Sequence, residues 1–159
     1  ARRGAPFDDG AVAAFLAAVK ARHRADGGSV LVAASRRTPT AQRARIREAF
    51  AGLPGVVWVD STDGANPYPG VLGWSDRLVV TPDSVNMLSE ACATGRPVHT
   101  FVSRPLPEKL ARFHEELRAA GLLHDIDVVT ASTQTALRET AAVASEVRRH
   151  LGLAAPLAR

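Results

Sequence analysis

Four polar side chains within ten residues, Thr81, Asp83, Ser84 and Glu90, are the group best suited to bind an anionic ligand. They follow an apolar stretch and begin a predicted helix. If Asp83 or Ser84 caps that helix, its first N–H groups point outward with about half a unit of positive charge. The seven-residue spacing of Asp83 and Glu90 places both on nearly one face, about 10 Å apart. This predicts a diphosphate at the helix end and a ribose diol on Glu90. Alternatively, Asp83 only caps and Glu90 is a solvated surface residue.

A second candidate group is the loop Ser35, Arg36 and Arg37, which follows another apolar run. An arginine guanidinium suits phosphate oxygens because its N–H groups form a planar fork. Adjacent arginines at the end of a parallel strand point in different directions, so one enters the cleft and the other stays in solvent. Which of the two enters is left open. The alternative is an exposed pair beside a cap formed by Thr38 or Thr40.

Aromatic residues offer two further interpretations. Tyr68 is a candidate to stack on a nucleobase, and Asn66 to bond the base edge or a sugar hydroxyl. Alternatively, Asn66 caps a short helix and Tyr68 packs beneath it. Trp58 and Trp74 are expected in the core.

Metal and nucleophile chemistry has little support in the sequence. The five histidines and Cys92 show no metal-ligand spacing, so no metal site is predicted. Neither GxGxxG nor GxxxxGK[ST] occurs, and no nucleophile elbow supports Ser-His-Asp chemistry. Cys92 lies within a predicted helix, where a buried, inert thiol is expected. No residue is assigned a catalytic role.

The elements that position these residues alternate along the chain. Short apolar runs predict strands at 29–34, 56–59, 77–81 and 98–102, the first of them buried on both faces. Helices are predicted after Asp8–Asp9 and at 40–50, 67–74, 83–94, 106–120 and 132–151. Such alternation indicates a doubly wound, Rossmann-like parallel sheet of four or more strands with helices on both faces. Ligands bind such sheets at the carboxyl ends of the strands.

Composition bounds the class of protein. The 159 residues, 46% hydrophobic and 23% charged, predict one globular domain spanning residues 1–159. No methionine opens the chain, so we expect a fragment of a longer two-domain protein. No signal or membrane span is apparent, and a single cysteine suits a reducing compartment, so a cytoplasmic location is expected. The net charge of +4 is compatible with nucleic acid, anionic lipid or a phosphorylated small molecule.

Residues 89–98, SEACATGRPV, resemble the "SEA…G.P" signature in the nucleotide-binding half of GT-B glycosyltransferases. The longer run at 66–98 resembles a family named after a plant mitochondrial-fission protein, which has many bacterial members and a GT-B-like architecture. The resemblance implies a C-terminal GT-B domain in which Glu90 holds ribose. Thr81, Asp83 and Ser84 then lie beside the diphosphate or donor sugar, and the residues at 35–37 approach the phosphates. One departure is Pro82, since many retaining GT-B enzymes carry two glutamates eight positions apart on this segment and the nearest acid here is Asp83.

Two functions follow from these features. The first is a donor-binding domain for a nucleoside-diphosphate sugar, with a UDP-type donor favoured and no permanently bound cofactor. Its acceptor site and basic catalytic residue belong to a missing N-terminal domain, so the isolated domain is expected to be inactive. The alternative is a non-catalytic protein- or membrane-interaction module at the cytoplasmic face. Nucleic-acid binding through Arg36, Arg37, Arg43 and Arg47 is disfavoured, because no aromatic platform is interleaved with them.

Overall fold

The computed structural model describes residues 7–131 and 133–137, which form an α/β fold of alternating helices and parallel strands. This confirms the predicted Rossmann-like class. The helices are α1 (Asp9–Asp26), α2 (Thr40–Phe50), α3 (Tyr68–Trp74), α4 (Val85–Cys92) and α5 (Glu108–Ala119). The strands are β1 (Val30–Ala33), β2 (Gly55–Trp58), β3 (Leu78–Val79), β4 (Val98–Thr100) and β5 (His124–Asp125), and a 3-10 turn spans Ser61–Asp63.

Helix α1 shows why the local sequence folds as it does. The Asp8 carboxylate accepts a hydrogen bond from the Ala11 N–H at 3.0 Å, which satisfies one of the unpaired donors of the first turn. At the other end Gly27 adopts a φ of 70° and its N–H returns to the His23 carbonyl, a conformation that favours glycine. The predicted cap at Asp8–Asp9 is therefore confirmed at Asp8.

The strands form two sheets within the described residues, not the single sheet that was predicted. β1 pairs with β2, and β3, β4 and β5 follow in that order, all in parallel. Gly55 opens β2 at a φ of 135°, where a Cβ atom would lie 2.0 Å from the Val30 carbonyl oxygen. Only glycine permits this approach of the two strands. The division lies between β1 and β3: β1 pairs with β2 alone and β3 with β4 alone among the described strands.

Each sheet has its own apolar core. Helices α1 and α2 cover one face of β1 and β2, where Val12, Leu16 and Phe50 are buried. The second core lies among β3, β4, α4 and α5, and its buried side chains include Leu88 and Val98, both 0% exposed. Helix α3 links the two halves, because it contacts β1 and also packs Val71 and Leu72 against the second core.

Two predictions of burial are corrected by this arrangement. Strand β1 is not buried on both faces; Leu31 is 37% exposed and its neighbours are half-buried. Trp74 is not in the core but 85% exposed. The reason is that, among the described residues, the second face of β1 and β2 meets only the short helix α3. Trp58 is buried as predicted, and its indole N–H donates to the Gly64 carbonyl at 3.0 Å.

Several element boundaries also differ from prediction. The strands predicted at 77–81 and 98–102 are shorter, the helix predicted at 83–94 begins at Val85, and strand β5 was not predicted. The predicted helix at 132–151 is not helical at 133–137. There the N–H groups of Gln134 and Leu137 donate to the carbonyls of Gly95 and Cys92. In a helix they would instead donate to the carbonyls four residues earlier. The rest of that prediction, at 132 and 138–151, lies outside the described residues.

Candidate functional site

A cleft of about 1670 Å³ separates β1 from β3. The two strands line its sides, α1 contributes an apolar wall through Val12, Phe15 and Leu16, and the loops after both strands form its polar end. The volume exceeds the roughly 300–1,000 Å³ typical of small-molecule pockets. The cleft is therefore an extended one, larger than a compact small-molecule pocket.

The backbone of both strands faces this cleft. Val30 and Ala34 donate their N–H groups toward the β2 side, and Val80 donates to β4. Because successive residues of a strand point their N–H groups in opposite directions, Ala33 and Val79 direct theirs into the cleft. Main-chain donors and acceptors of this kind require partners. The cleft therefore offers hydrogen-bonding groups along both sides as well as at its polar end.

The predicted site residues converge only in part. Six of the nine line the cleft, namely Ser35, Arg37, Tyr68, Thr81, Asp83 and Ser84. The other three, Arg36, Asn66 and Glu90, are exposed and lie outside its lining. Of the two arginines, Arg37 is thus the one at the cleft. Its loop is shaped by the Ser35 hydroxyl, which accepts from the Arg37 N–H at 3.2 Å.

Tyr68 and Glu90 form a pair at the edge of the cleft. The Tyr68 hydroxyl donates to Glu90 Oε2 at 2.6 Å, joining α3 to α4. Partial burial, together with the adjacent Glu90 carboxylate, raises the pKa of Tyr68, so the phenol remains a donor at neutral pH. Asn66 Oδ1 accepts from the Tyr68 N–H at 3.0 Å and so orients the start of α3. Asn66 forms a turn before α3 but is not its cap, because Pro67 occupies the N-cap position; stacking of Tyr68 on a base stays a prediction.

The start of α4 resolves which of the two predicted residues occupies the cap position. Ser84 occupies the N-cap position and its side chain makes no capping hydrogen bond, while Asp83 lies one residue earlier and is exposed. Of the two residues predicted as the cap, Asp83 or Ser84, the structure places Ser84 at that position, without the side-chain hydrogen bond. The extended turn at Thr81–Ser84 moves the first helical residue to Val85, so Asp83 and Glu90 do not share one helix.

His114 on α5 anchors this turn and was not predicted. It is 0% exposed, and its Nε2 donates to the Pro82 carbonyl at 2.8 Å. Burial lowers the pKa of His114, which favours the neutral ring. The sequence does carry a signal for it: Leu110, His114 and Leu117 follow helical spacing on one buried side.

Ion pairs connect α1 to the second half across the cleft. Asp26 lies between Arg22 at 2.7 Å and Arg77 at 2.5 Å, at the amino ends of the strands. The hydrogen bond from Arg22 lowers the pKa of Asp26. Near the carboxyl ends, Arg104 pairs with Asp8. These ion pairs connect the two sides of the cleft, whose strands β1 and β3 do not pair with each other.

Reactive and metal-binding groups are sparse in the described part of the chain. No cluster of three or more His, Cys, Asp or Glu side chains there is arranged to hold a metal ion. Cys92 is buried, and burial raises the pKa of its thiol to about 11. A thiol with that pKa is almost entirely protonated at neutral pH, as expected for an inert cysteine. Among the described helices, none has both the length and the apolar character needed to cross a membrane.

Fold and cleft together define the class: a Rossmann-like α/β domain with a polar-ended cleft at the carboxyl ends of β1 and β3. The sequence model of the family described as "Mitochondrial fission ELM1" matches residues 1–151. The chain is also 35% identical over 128 residues to the mitochondrial fission protein ELM1 of Arabidopsis thaliana. This chain therefore belongs to the mitochondrial fission ELM1 family, which confirms the resemblance seen at 66–98. The alignment covers 78% of this chain but 30% of the relative. No solved structure matches the chain.

Proposed function

We propose that this chain is the donor-binding domain of a GT-B-like glycosyltransferase that recognises a nucleoside-diphosphate sugar, with a UDP-type donor favoured. One observation carries the proposal: two loops and the start of α3 bring Ser35, Arg37, Tyr68, Thr81 and Ser84 to a single cleft. These segments follow β1, β2 and β3, and ligands bind open parallel sheets at the carboxyl ends of their strands. The GT-B-like signature at 89–98 adds a reason from the sequence alone.

Each residue has a role in this proposal. Arg37 donates to phosphate oxygens, and the Thr81 and Ser84 hydroxyls bond the diphosphate or the sugar. Glu90 uses one oxygen for Tyr68 and turns the other to a ribose hydroxyl. Rotation of the exposed Glu90 side chain toward the cleft brings that oxygen to the ligand. Asp83 contacts sugar hydroxyls, because a carboxylate repels phosphate.

Transfer itself is assigned to the longer protein. Arg37 and the first N–H groups of α4 stabilise the charge on the departing diphosphate. The acceptor site and the basic catalytic residue lie in an N-terminal domain beyond this chain. The alignment covers 30% of the Arabidopsis relative, so that protein is much longer than the region it shares with this chain. The isolated chain is therefore expected to bind the donor and to transfer nothing.

Calorimetric titration with UDP, GDP, ADP and TDP tests the donor site. We expect saturable binding of one diphosphate, weakened at least about tenfold, or about 1.4 kcal/mol, in Glu90→Gln. Glu115→Gln is the matched control, because it removes the same charge from an exposed position on α5. Absence of binding to all four in a folded sample contradicts the proposal. Equal affinity of the wild type and Glu90→Gln removes Glu90 from the site.

A second candidate, a membrane-interaction module, is favoured by the exposed apolar patch of Leu31, Val56 and Trp74. Trp74 is 85% and Val56 49% exposed, and these side chains border a small apolar groove. Tryptophan is typical of membrane–water interfaces. The relative's name links that protein with mitochondrial fission, and we place this module at the cytoplasmic face of a membrane.

Vesicle sedimentation tests the membrane candidate. If the patch docks on lipid, the wild type sediments with anionic vesicles, and Trp74→Ala reduces the bound fraction several-fold. The stability of the variant should change little, because the indole is solvated. The control Val129→Ala alters another exposed apolar side chain, 81% exposed, which does not line this groove. Equal sedimentation of wild type and Trp74→Ala rejects this candidate.

A further inference from the structure

Arg43 makes three polar contacts that the proposed donor site does not use. From α2, its Nε donates to the Thr38 carbonyl at 2.8 Å and its Nη2 to the Arg36 carbonyl at 3.1 Å. Its Nη1 lies 3.4 Å from Asp60 Oδ2. All three guanidinium nitrogens are thus engaged by oxygens on two loops. Such a fork cannot be reproduced by the single ammonium of lysine.

Asp60 is itself held in place, so it is a firm anchor for Arg43. Its Oδ1 accepts from the Thr62 N–H at 3.0 Å and from the Thr62 hydroxyl at 2.6 Å. These bonds lower the pKa of Asp60, and Arg47 and Arg43 add to the effect. The carboxylate is therefore ionised at neutral pH. Arg43 consequently joins the loop after β1 to the loop after β2.

Arg47 supplies a natural comparison. It lies one turn further along α2 and pairs with Asp63 at 2.5 Å and with Asp60 at 3.6 Å. Both arginines therefore share Asp60 and both lie on the same helix. Only Arg43 bonds the carbonyls of the loop at 35–38. A difference between variants at 43 and 47 isolates that loop contact from the shared ion pairing.

We propose that Arg43 is a positioning residue for the phosphate-binding loop. It fixes the main chain on either side of Arg37 through the carbonyls of Arg36 and Thr38, and thereby aims the Arg37 guanidinium into the cleft. Its own guanidinium is consumed by these carbonyls and Asp60, so it does not touch phosphate. The effect of Arg43 on ligand affinity rests on the proposed donor site. Its effect on the order of the loop at 35–38 does not depend on any ligand.

Limited trypsin digestion tests the ordering directly, because Arg36 and Arg37 are cleavage sites within the loop. In Arg43→Gln we expect cleavage at these two residues at least about tenfold faster than in wild type, since the loop is released. Arg43→Lys keeps the charge but loses the fork, and is expected to behave like Arg43→Gln. Arg47→Gln should be cut at the wild-type rate. Circular dichroism confirms that each variant is folded. Equal cleavage of Arg43→Gln and Arg47→Gln overturns the inference.

Affinity measurements test the consequence for the site. In Arg43→Gln we expect UDP to bind at least about tenfold more weakly, with uridine affinity unchanged because uridine carries no phosphate. Arg47→Gln should match wild type for both. A uniform loss for UDP and uridine indicates a general structural defect and overturns the positioning role. A wild-type chain that binds no diphosphate overturns the proposed function and the ligand role of Arg43, while the trypsin result still decides the role in the loop.

Discussion

Leu88→Ala is expected to lower the free energy of unfolding by about 2–5 kcal/mol, the range for removing a buried leucine side chain. Leu88 is 0% exposed and lies in the core formed with Leu78, Val98 and Leu123. The shorter alanine side chain loses the contacts that Leu88 makes in the core with β3, β4 and α5. Because α4 also carries Glu90, we expect the substitution to weaken the proposed donor site as well as the fold.

Urea denaturation of wild type and Leu88→Ala measures this loss. Val85→Ala is the control, since Val85 is on the same helix and 44% exposed; we expect a change below about 0.5 kcal/mol. A loss below about 1 kcal/mol in Leu88→Ala contradicts the packing described for this core.

Stability is expected to fall as pH drops below about 6.5, because two histidines are buried. His99 and His114 are both 0% exposed. Burial is the largest cause that lowers the pKa of each below the unfolded value of 6.5, and Arg77, His124 and Arg22 lower that of His99 further. The unfolded chain therefore binds more protons, and acid favours unfolding. The slope reaches at most about 1.4 kcal/mol per pH unit for each histidine.

Unfolding free energies measured between about pH 7.5 and 5 test this dependence. His114→Gln, which retains a donor for the Pro82 carbonyl, should flatten the curve. The carboxylates of Asp8, Asp26, Asp60 and Asp63 have pKa values lowered from 3.8. Their contribution is lost only at lower pH, below that window. A flat profile across the window contradicts the assignment of both histidines as neutral in the folded state.

The sequence predicts the features that depend on local chemistry. Asp8 caps α1 because its side chain and the Ala11 N–H are three residues apart. Trp58 is buried because it follows an apolar strand, and Cys92 because it lies on the core side of α4. The order and parallel direction of the predicted strands follow from their alternation with helices. Each of these depends on neighbours within a few positions or on a rule of chain topology.

Features that depend on distant parts of the chain were missed or misjudged. Trp74 was predicted in the core, but within the described part of the chain it lies on a side of α3 that no other element covers, and it is 85% exposed. The role of Arg43 requires Asp60, which is 17 positions away, and that of His114 requires Pro82, which is 32 positions away. Spacing along one helix or strand contains no information about such partners. The division of the sheet likewise depends on how the two halves of the domain pack together, and the sequence of β1 or β3 alone does not reveal it.

The open seam between β1 and β3 has a mechanical consequence. In a continuous sheet, rows of main-chain hydrogen bonds make the centre the stiffest part of the domain. Here the seam is spanned by α3 and by side-chain pairs, Tyr68 with Glu90, Asp26 with Arg77, and Asp8 with Arg104. Exposed ion pairs weaken with salt, whereas backbone ladders do not. We therefore expect the seam to loosen as ionic strength rises, while the paired strands on either side of it keep their spacing.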